Sequence, residues 1–221
     1  MNEPHPRSRP TASLSLDLDN LWSYLKIHGD EAWKTRPSYL DAFVPYMLDV
    51  LDRERLSITF FIVGADAALG RNHAALRALV QAGHEVGNHS FEHEPWLHLY
   101  PVERLRREIG DTDDAIQAAT GVRPTGFRGP GFSWCPELLP VLADAGHRYD
   151  ASTLPTWLGP LARTYYFWTA KLTPQEREQR KGLFGHFADG ARPNKPYQWS
   201  LPDGRRLLEI PVTTLPVART P

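Results

Sequence analysis

The sequence predicts a parallel α/β fold. Three observations carry this: six short apolar or alternating segments with strand character, amphipathic helical stripes between them, and glycines where those helices should stop. Parallel strand neighbours need crossover connections, and helices supply them.

Residues 1–12 hold three prolines and little apolar content, so they read as a loose tail, and residues 13–221 read as one domain. Ser13-Leu14-Ser15-Leu16 alternates polar and apolar residues and runs into Asp17. Tyr39, Phe43, Met47 and Val50 recur at helical steps. Ile58 to Val63 is a β-branched and aromatic run stopped by Gly64, as a buried strand would be. Leu76, Leu79 and Val80 mark a second helix, closed by Gly83. His84 to Asn88 is a weaker strand. Leu105, Ile109 and Ile116 form a third helical stripe ended by Gly121. Thr125 to Arg128 is short and extended, and Pro136 opens a helix through Leu139 and Leu142 that Gly146 ends. His147 to Asp150 and Leu207 to Val212 complete the strands. Residues 155–200 break the rhythm with aromatics, prolines and charge, and read as an irregular insertion with a short helix from Pro174 to Lys181.

Asp17, Asp19, His89, Arg128 and Asp150 all fall at or just past the carboxyl end of a predicted strand. In α/β folds those ends converge on one rim, where active sites are built. Five reactive side chains from four strands would therefore meet in one place.

Bulk properties narrow the classes of function. With 41% hydrophobic and 23% charged residues over 221 positions, the chain is an ordinary globular protein. A net charge of -1 gives no pull towards nucleic acid. The single cysteine, Cys135, excludes an internal disulfide and a cysteine-rich zinc site. No apolar run has signal-peptide length, and none approaches the ~20 residues that span a bilayer, so the expected location is cytoplasmic. Work at the membrane face stays open.

His89 and His93 lie four apart in HSFEH, a spacing that puts both imidazoles on one side of a helical turn. A third ligand must come from elsewhere, and Asp19 on the first strand's rim is the natural supplier. Two imidazoles and a carboxylate leave a position open for water, as hydrolytic zinc sites require. This donor set suits Zn2+ best, with Co2+, Ni2+ or Mn2+ as alternatives. Asp19-Asn20 would serve equally well as a helix cap or turn. HSFEH also fits the H-x-x-E-H pattern of inverted zinc peptidases, with Glu92 as base, but that motif needs a continuing helix and Pro95 interrupts it.

Together these residues resemble the polysaccharide deacetylase family, the NodB-homology carbohydrate esterases, from Ser13 to about Val212. SLDLDN at 15–20 is similar to the family's acidic first motif and HSFEH to its H-[ST]-x-x-H motif. Arg128-Gly129-Pro130-Gly131-Phe132 looks like its arginine motif, and Tyr149-Asp150-Ala151-Ser152 like its fourth. The resemblance implies a distorted (β/α) barrel, incomplete at the C-terminus, that hydrolyses an amide with a divalent metal. It makes Asp17 the catalytic base, held by Arg128, and Asp19 a metal ligand with His89 and His93. It gives the Gly131 N–H to the oxyanion and makes Asp150 the tuner of the catalytic acid. The family's last motif supplies that acid as a histidine, yet no histidine follows His186 in this sequence. His186 as a substitute is less expected than a surface or packing role.

Trp96, Phe132 and Trp134 follow the central motifs and are candidates for stacking on a sugar ring. The aromatics Tyr165 to Trp168, with Trp199, are candidates for a cap over the cleft. The leading expectation is N-deacetylation of a sugar in a polysaccharide, glycolipid or cell-wall precursor. The alternatives are a deformylase or another amidohydrolase acting on a small amide, and a carbohydrate-binding pseudoenzyme without the acid.

Overall fold

The computed structural model describes residues 12–170, 172–180 and 187–220. The anticipated tail lies outside the described residues apart from its last position, and so does His186. In chain order the elements are β1 (Ser15–Leu18), α1 (Leu21–Ile27), α2 (Leu40–Glu54), β2 (Thr59–Ile62), α3 (Gly64–Ala67), α4 (His73–Gln81) and β3 (Glu85–Asn88). They continue with α5 (Val102–Thr120), β4 (Gly126–Phe127), α6 (Leu138–Ala145), β5 (Tyr149–Asp150), α7 (Gly159–Thr169), α8 (Pro174–Gln179), β6 (Tyr197–Ser200) and β7 (Arg206–Glu209).

One seven-stranded sheet runs in the order β1-β2-β3-β4-β5-β7-β6. All its pairs are parallel except β6 with β7. The expected six parallel strands are therefore present in an α/β sheet that stays open among the described residues; their ends shift by a few residues, β1 running on to Leu18 and β7 opening at Arg206. The strand that the sequence reading missed is β6, inside the supposed insertion. Its Tyr-Gln-Trp-Ser alternation before Pro202-Asp203-Gly204 is a hairpin pattern, and the pairing covers the outer edge of β7.

Two adjoining apolar clusters hold the sheet. Leu18, Phe60, Ile62 and Val86 pack against α2 and α4. Phe127 and Leu207 pack against α6 and the first half of α5. α5 joins the two, with Leu105 and Ile109 in one cluster and Ile116 and Ala119 in the other. On α2 the buried residues are Leu40, Val44 and Leu51, one position round from the predicted stripe, and Tyr39 is exposed. Arg55 and Gly121 end α2 and α5 in the left-handed conformation. No described helix is long and apolar enough to cross a membrane.

Candidate metal centre and catalytic site

The parallel register carries the site residues to one rim. Asp17 lies within β1 opposite Phe61 of β2, and Asp19 leaves that strand's end. His89 directly follows β3 and Arg128 directly follows β4.

The two histidines do not share a helical turn. The segment after β3 is irregular, with Ser90 and His93 at φ values of 58° and 52°. Its backbone groups bond sideways instead of along a helix. Asn88 Oδ1 accepts the Ser90 N–H at 2.9 Å, and the Ser90 and Phe91 carbonyls accept the N–H groups of Gly64 and Ala65. This loop still brings the imidazoles to 4.9 Å between ring centroids.

His89 Nε2 lies 3.5 Å and His93 Nε2 3.0 Å from Asp19 Oδ1. One ligand atom from each of the three residues falls within 4.8 Å of the others. Asp19 Oδ1 and His93 Nε2 are buried and make no hydrogen bond among the described residues, close as they are. Atoms that converge without bonding one another fit a shared cation. His89 fits as well. Its Nδ1 contacts the Arg128 carbonyl at 2.6 Å, and a carbonyl only accepts, so Nδ1 carries the proton and Nε2 presents its lone pair to the cluster. Burial lowers the His89 pKa against the pull of Asp17 and Asp19, which favours the neutral, ligating form. Burial pushes the Asp19 carboxyl up, but the close approach of His93, 3.0 Å away, and the attraction of both imidazoles outweigh it and hold it at about 2.

Beside this cluster, Asp17 Oδ2 is 4.0 Å from His89 Nε2, and its Oδ1 accepts from Arg128 Nη1 at 2.8 Å. Arg128 is fixed on every side. Nη2 donates to Ser15 Oγ at 2.9 Å, Nε donates to the Ala151 carbonyl at 3.1 Å, and the guanidinium lies 4.3 Å above the Phe61 ring. Gly87 makes room for that ring, since a Cβ there would sit 2.5 Å from Phe61 Cδ1.

Asp150 is fully buried on β5. Its Oδ1 accepts from the Ser152 N–H and hydroxyl, and Ser152 Oγ in turn accepts the Gly129 N–H at 2.8 Å. Burial and the neighbouring Glu209, its register partner on β7, push the Asp150 carboxyl well above the usual range. The anticipated partner of Asp150 was an imidazole; among the described residues its neighbours are a hydroxyl and a second carboxyl. Burial also pushes Glu209 up, although Thr153 and Trp199 donate to it.

Gly131, at φ 59°, lies with Phe132 and Trp134 along a largely apolar cleft of about 570 Å³, together with Pro95, His98 and Ala162. Trp96 is not among the lining residues. It donates to Glu94 at 2.8 Å and lies beneath the Arg180 guanidinium at 4.0 Å. Trp134 stacks on Trp199, with ring centroids 4.8 Å apart. Of the expected cap, Tyr166 is buried and donates to the Ile27 carbonyl, whereas Trp168 is exposed.

Sequence reasoning missed Ser15, Phe61, Asn88 and Glu108. Glu108 is buried, and its Oε2 accepts the N–H groups of Phe91 and Glu92 at 2.9 and 3.0 Å. A signal was present: Glu108 falls on the apolar stripe of α5, beside Leu105 and Ile109, where an unpartnered charge would be costly.

An open α/β sheet with an Asp-His-His cluster and an Asp-Arg pair at its strand ends defines an α/β protein with a candidate metal centre. The polysaccharide deacetylase family model matches residues 30–149, just over half of the sequence, and the chain belongs to that family. The matched span contains His89, His93 and Arg128; Asp17, Asp19 and Asp150 lie outside it. A chitooligosaccharide deacetylase from Sinorhizobium fredii is 35% identical over 107 residues, 47% of each chain. A peptidoglycan-N-acetylglucosamine deacetylase from Listeria monocytogenes is 33% identical over 86 residues, 39% of this chain and 18% of that one. The chain thus spans about half the length, or less, of these curated relatives. A solved structure from Mycobacterium smegmatis, assigned as a polysaccharide deacetylase, superposes with a TM-score of 0.64 at 23% identity, over 96% of this chain and 63% of that one. At that identity the likeness concerns the fold.

Proposed function

We propose that this chain is a divalent-metal-dependent amide hydrolase that removes the N-acetyl group from a sugar in a polysaccharide, glycolipid or cell-wall precursor. The observation that carries the reading is the convergence of one ligand atom each from Asp19, His89 and His93 within 4.8 Å, with Asp19 Oδ1 and His93 Nε2 buried and without a hydrogen bond among the described residues, and with Asp17 4.0 Å from His89. Membership of the polysaccharide deacetylase family supports the reaction class, and the names of the Sinorhizobium and Listeria relatives support an N-acetylated sugar.

Asp19, His89 and His93 would hold the cation, zinc first by donor type, with cobalt, nickel or manganese as alternatives. When bound it supplies Lewis acidity that activates water and polarises an amide carbonyl. Asp17 accepts the proton that water loses on attacking the carbonyl carbon, and when the C–N bond then breaks it returns that proton to the departing amine. Arg128 holds and aims the Asp17 carboxylate, its own plane pinned by Ser15 and Ala151. The Gly131 N–H donates to the oxyanion, a contact typically worth ~3–4 kcal/mol. Asp150 acts on the loop that carries Gly131, through Ser152 and the Gly129 N–H.

The test is acetate release from N-acetylglucosamine oligomers by the purified chain, with the N-formyl analogues assayed alongside. Release should stop with chelator and return with Zn2+ or Co2+. Oligomer binding without release in any metal would reject the reading, and faster formate release would move it to a deformylase.

A further inference from the structure

The loop between His89 and His93 has no regular secondary structure to hold it, and two of its non-glycine residues take left-handed backbone that L side chains disfavour. Something outside the loop must impose this shape. The Gly64 and Ala65 N–H groups hold two of its carbonyls, and two side-chain contacts hold its N–H groups; both of these lead to α5. The Glu108 carboxylate accepts the N–H groups of Phe91 and Glu92 through one oxygen. The second runs through Asn88, whose side chain is completely buried. Its Nδ2 donates to the Ile109 carbonyl at 3.0 Å and to Asp113 Oδ1 at 2.7 Å. That fixes the amide orientation, so Oδ1 faces the Ser90 N–H and closes the turn directly after His89. Asp113 is itself buried, with His147 Nε2 at 3.2 Å.

We propose that Glu108 and Asn88 are positioning residues that pre-form the metal-binding loop, with one face of α5 as the template. Neither side chain belongs to the ligand set. Both act on the loop that carries His89 and His93, so their contribution is to the geometry in which the two imidazoles meet an ion. The proposal rests on the metal reading above. It adds that ligand geometry is set before the ion arrives, by three backbone N–H groups held from outside the loop. An outer-shell contact of this kind typically changes metal affinity by ~10–100-fold.

The experiment is Zn2+ affinity of the full chain by competition with a chromophoric chelator, read beside the thermal midpoint of the metal-free protein. Wild type is compared with Glu108→Ala, Glu108→Gln, Asn88→Ala and Ile116→Val, the last a core change on α5 away from the loop. Glu108→Ala and Asn88→Ala should each weaken Zn2+ by ~10–100-fold. Glu108→Gln, which keeps the shape and one acceptor, should fall between Glu108→Ala and wild type. Ile116→Val should lower the midpoint and leave Zn2+ affinity unchanged. If Glu108→Ala does not fold, Glu108→Gln decides by the same criterion. Wild-type Zn2+ affinity in the folded Glu108 variants would overturn the proposal while leaving the metal centre intact. Failure of wild type to bind one equivalent of Zn2+ would instead remove the metal reading, and this inference with it.

Discussion

Asp17 and Arg128 stand 111 positions apart in the chain and meet at 2.8 Å, Oδ1 to Nη1. The pairing leaves Asp17 Oδ2 turned towards His89 Nε2, 4.0 Å away. One oxygen of the carboxylate is thus held, and the other borders the candidate metal centre. Asp17→Asn keeps the size and removes the basicity. Turnover should drop by ~10²–10⁴-fold while metal stoichiometry is unchanged, as measured by acetate release and elemental analysis.

His93→Ala removes one of three ligands and should abolish both stoichiometric zinc and activity. Zinc retained at one per chain in this variant would contradict the ligand set.

Arg128 reaches Asp17, Ser15 and the Ala151 carbonyl from three nitrogens of one plane. A lysine ammonium cannot reproduce that fork. Arg128→Lys should keep the metal and lose at least about tenfold in kcat/KM, comparable to losing a charge-assisted contact. An unaltered kcat/KM would show that the pairing does not matter to turnover.

Asp150 carries a pH-dependent stability term. Burial and Glu209 raise its folded pKa, so the folded state keeps a proton that the unfolded chain releases near pH ~4. The term is fully present below that unfolded value and is lost as pH rises through the folded one. Asp150→Asn keeps an acceptor for Ser152, offers Glu209 an N–H, and does not titrate. Its thermal midpoint relative to wild type should therefore improve from pH 5 to pH 9. A difference that stays flat across this range would argue against a shared proton at Asp150.

Gly129 lies against the chain ahead of it: a Cβ there would sit 1.9 Å from the Ser133 carbonyl oxygen. Backbone has to move, so Gly129→Ala should cost ~1–3 kcal/mol by denaturant titration. It should also lower activity more than metal affinity, because the displaced segment carries Gly131.

Local pattern was enough for the layout of the chain. Period-two and period-3.6 hydrophobicity located the six parallel strands and the helices α2, α4, α5 and α6, though not α1, α3 or α7, and chain order placed Asp19, His89 and Arg128 directly after β1, β3 and β4. Residue chemistry alone suggested a cation for two imidazoles and a carboxylate. These properties are local, because an apolar face has to be buried wherever its partner comes from.

Other features depended on contacts between distant segments. Spacing of four suggested a helical turn for His89 and His93; the fold instead bends them into a left-handed loop, because Asn88, Gly64 and Glu108 bond its backbone from the side. β6 escaped notice in an aromatic, proline-rich stretch since its pairing with β7 is what makes it a strand. Glu209, a charged residue in a strand, became the neighbour of Asp150 only when β5 and β7 came into register. Backbone hydrogen bonds and buried carboxyls take their meaning from partners that chain order does not reveal, so these the tertiary structure alone decided.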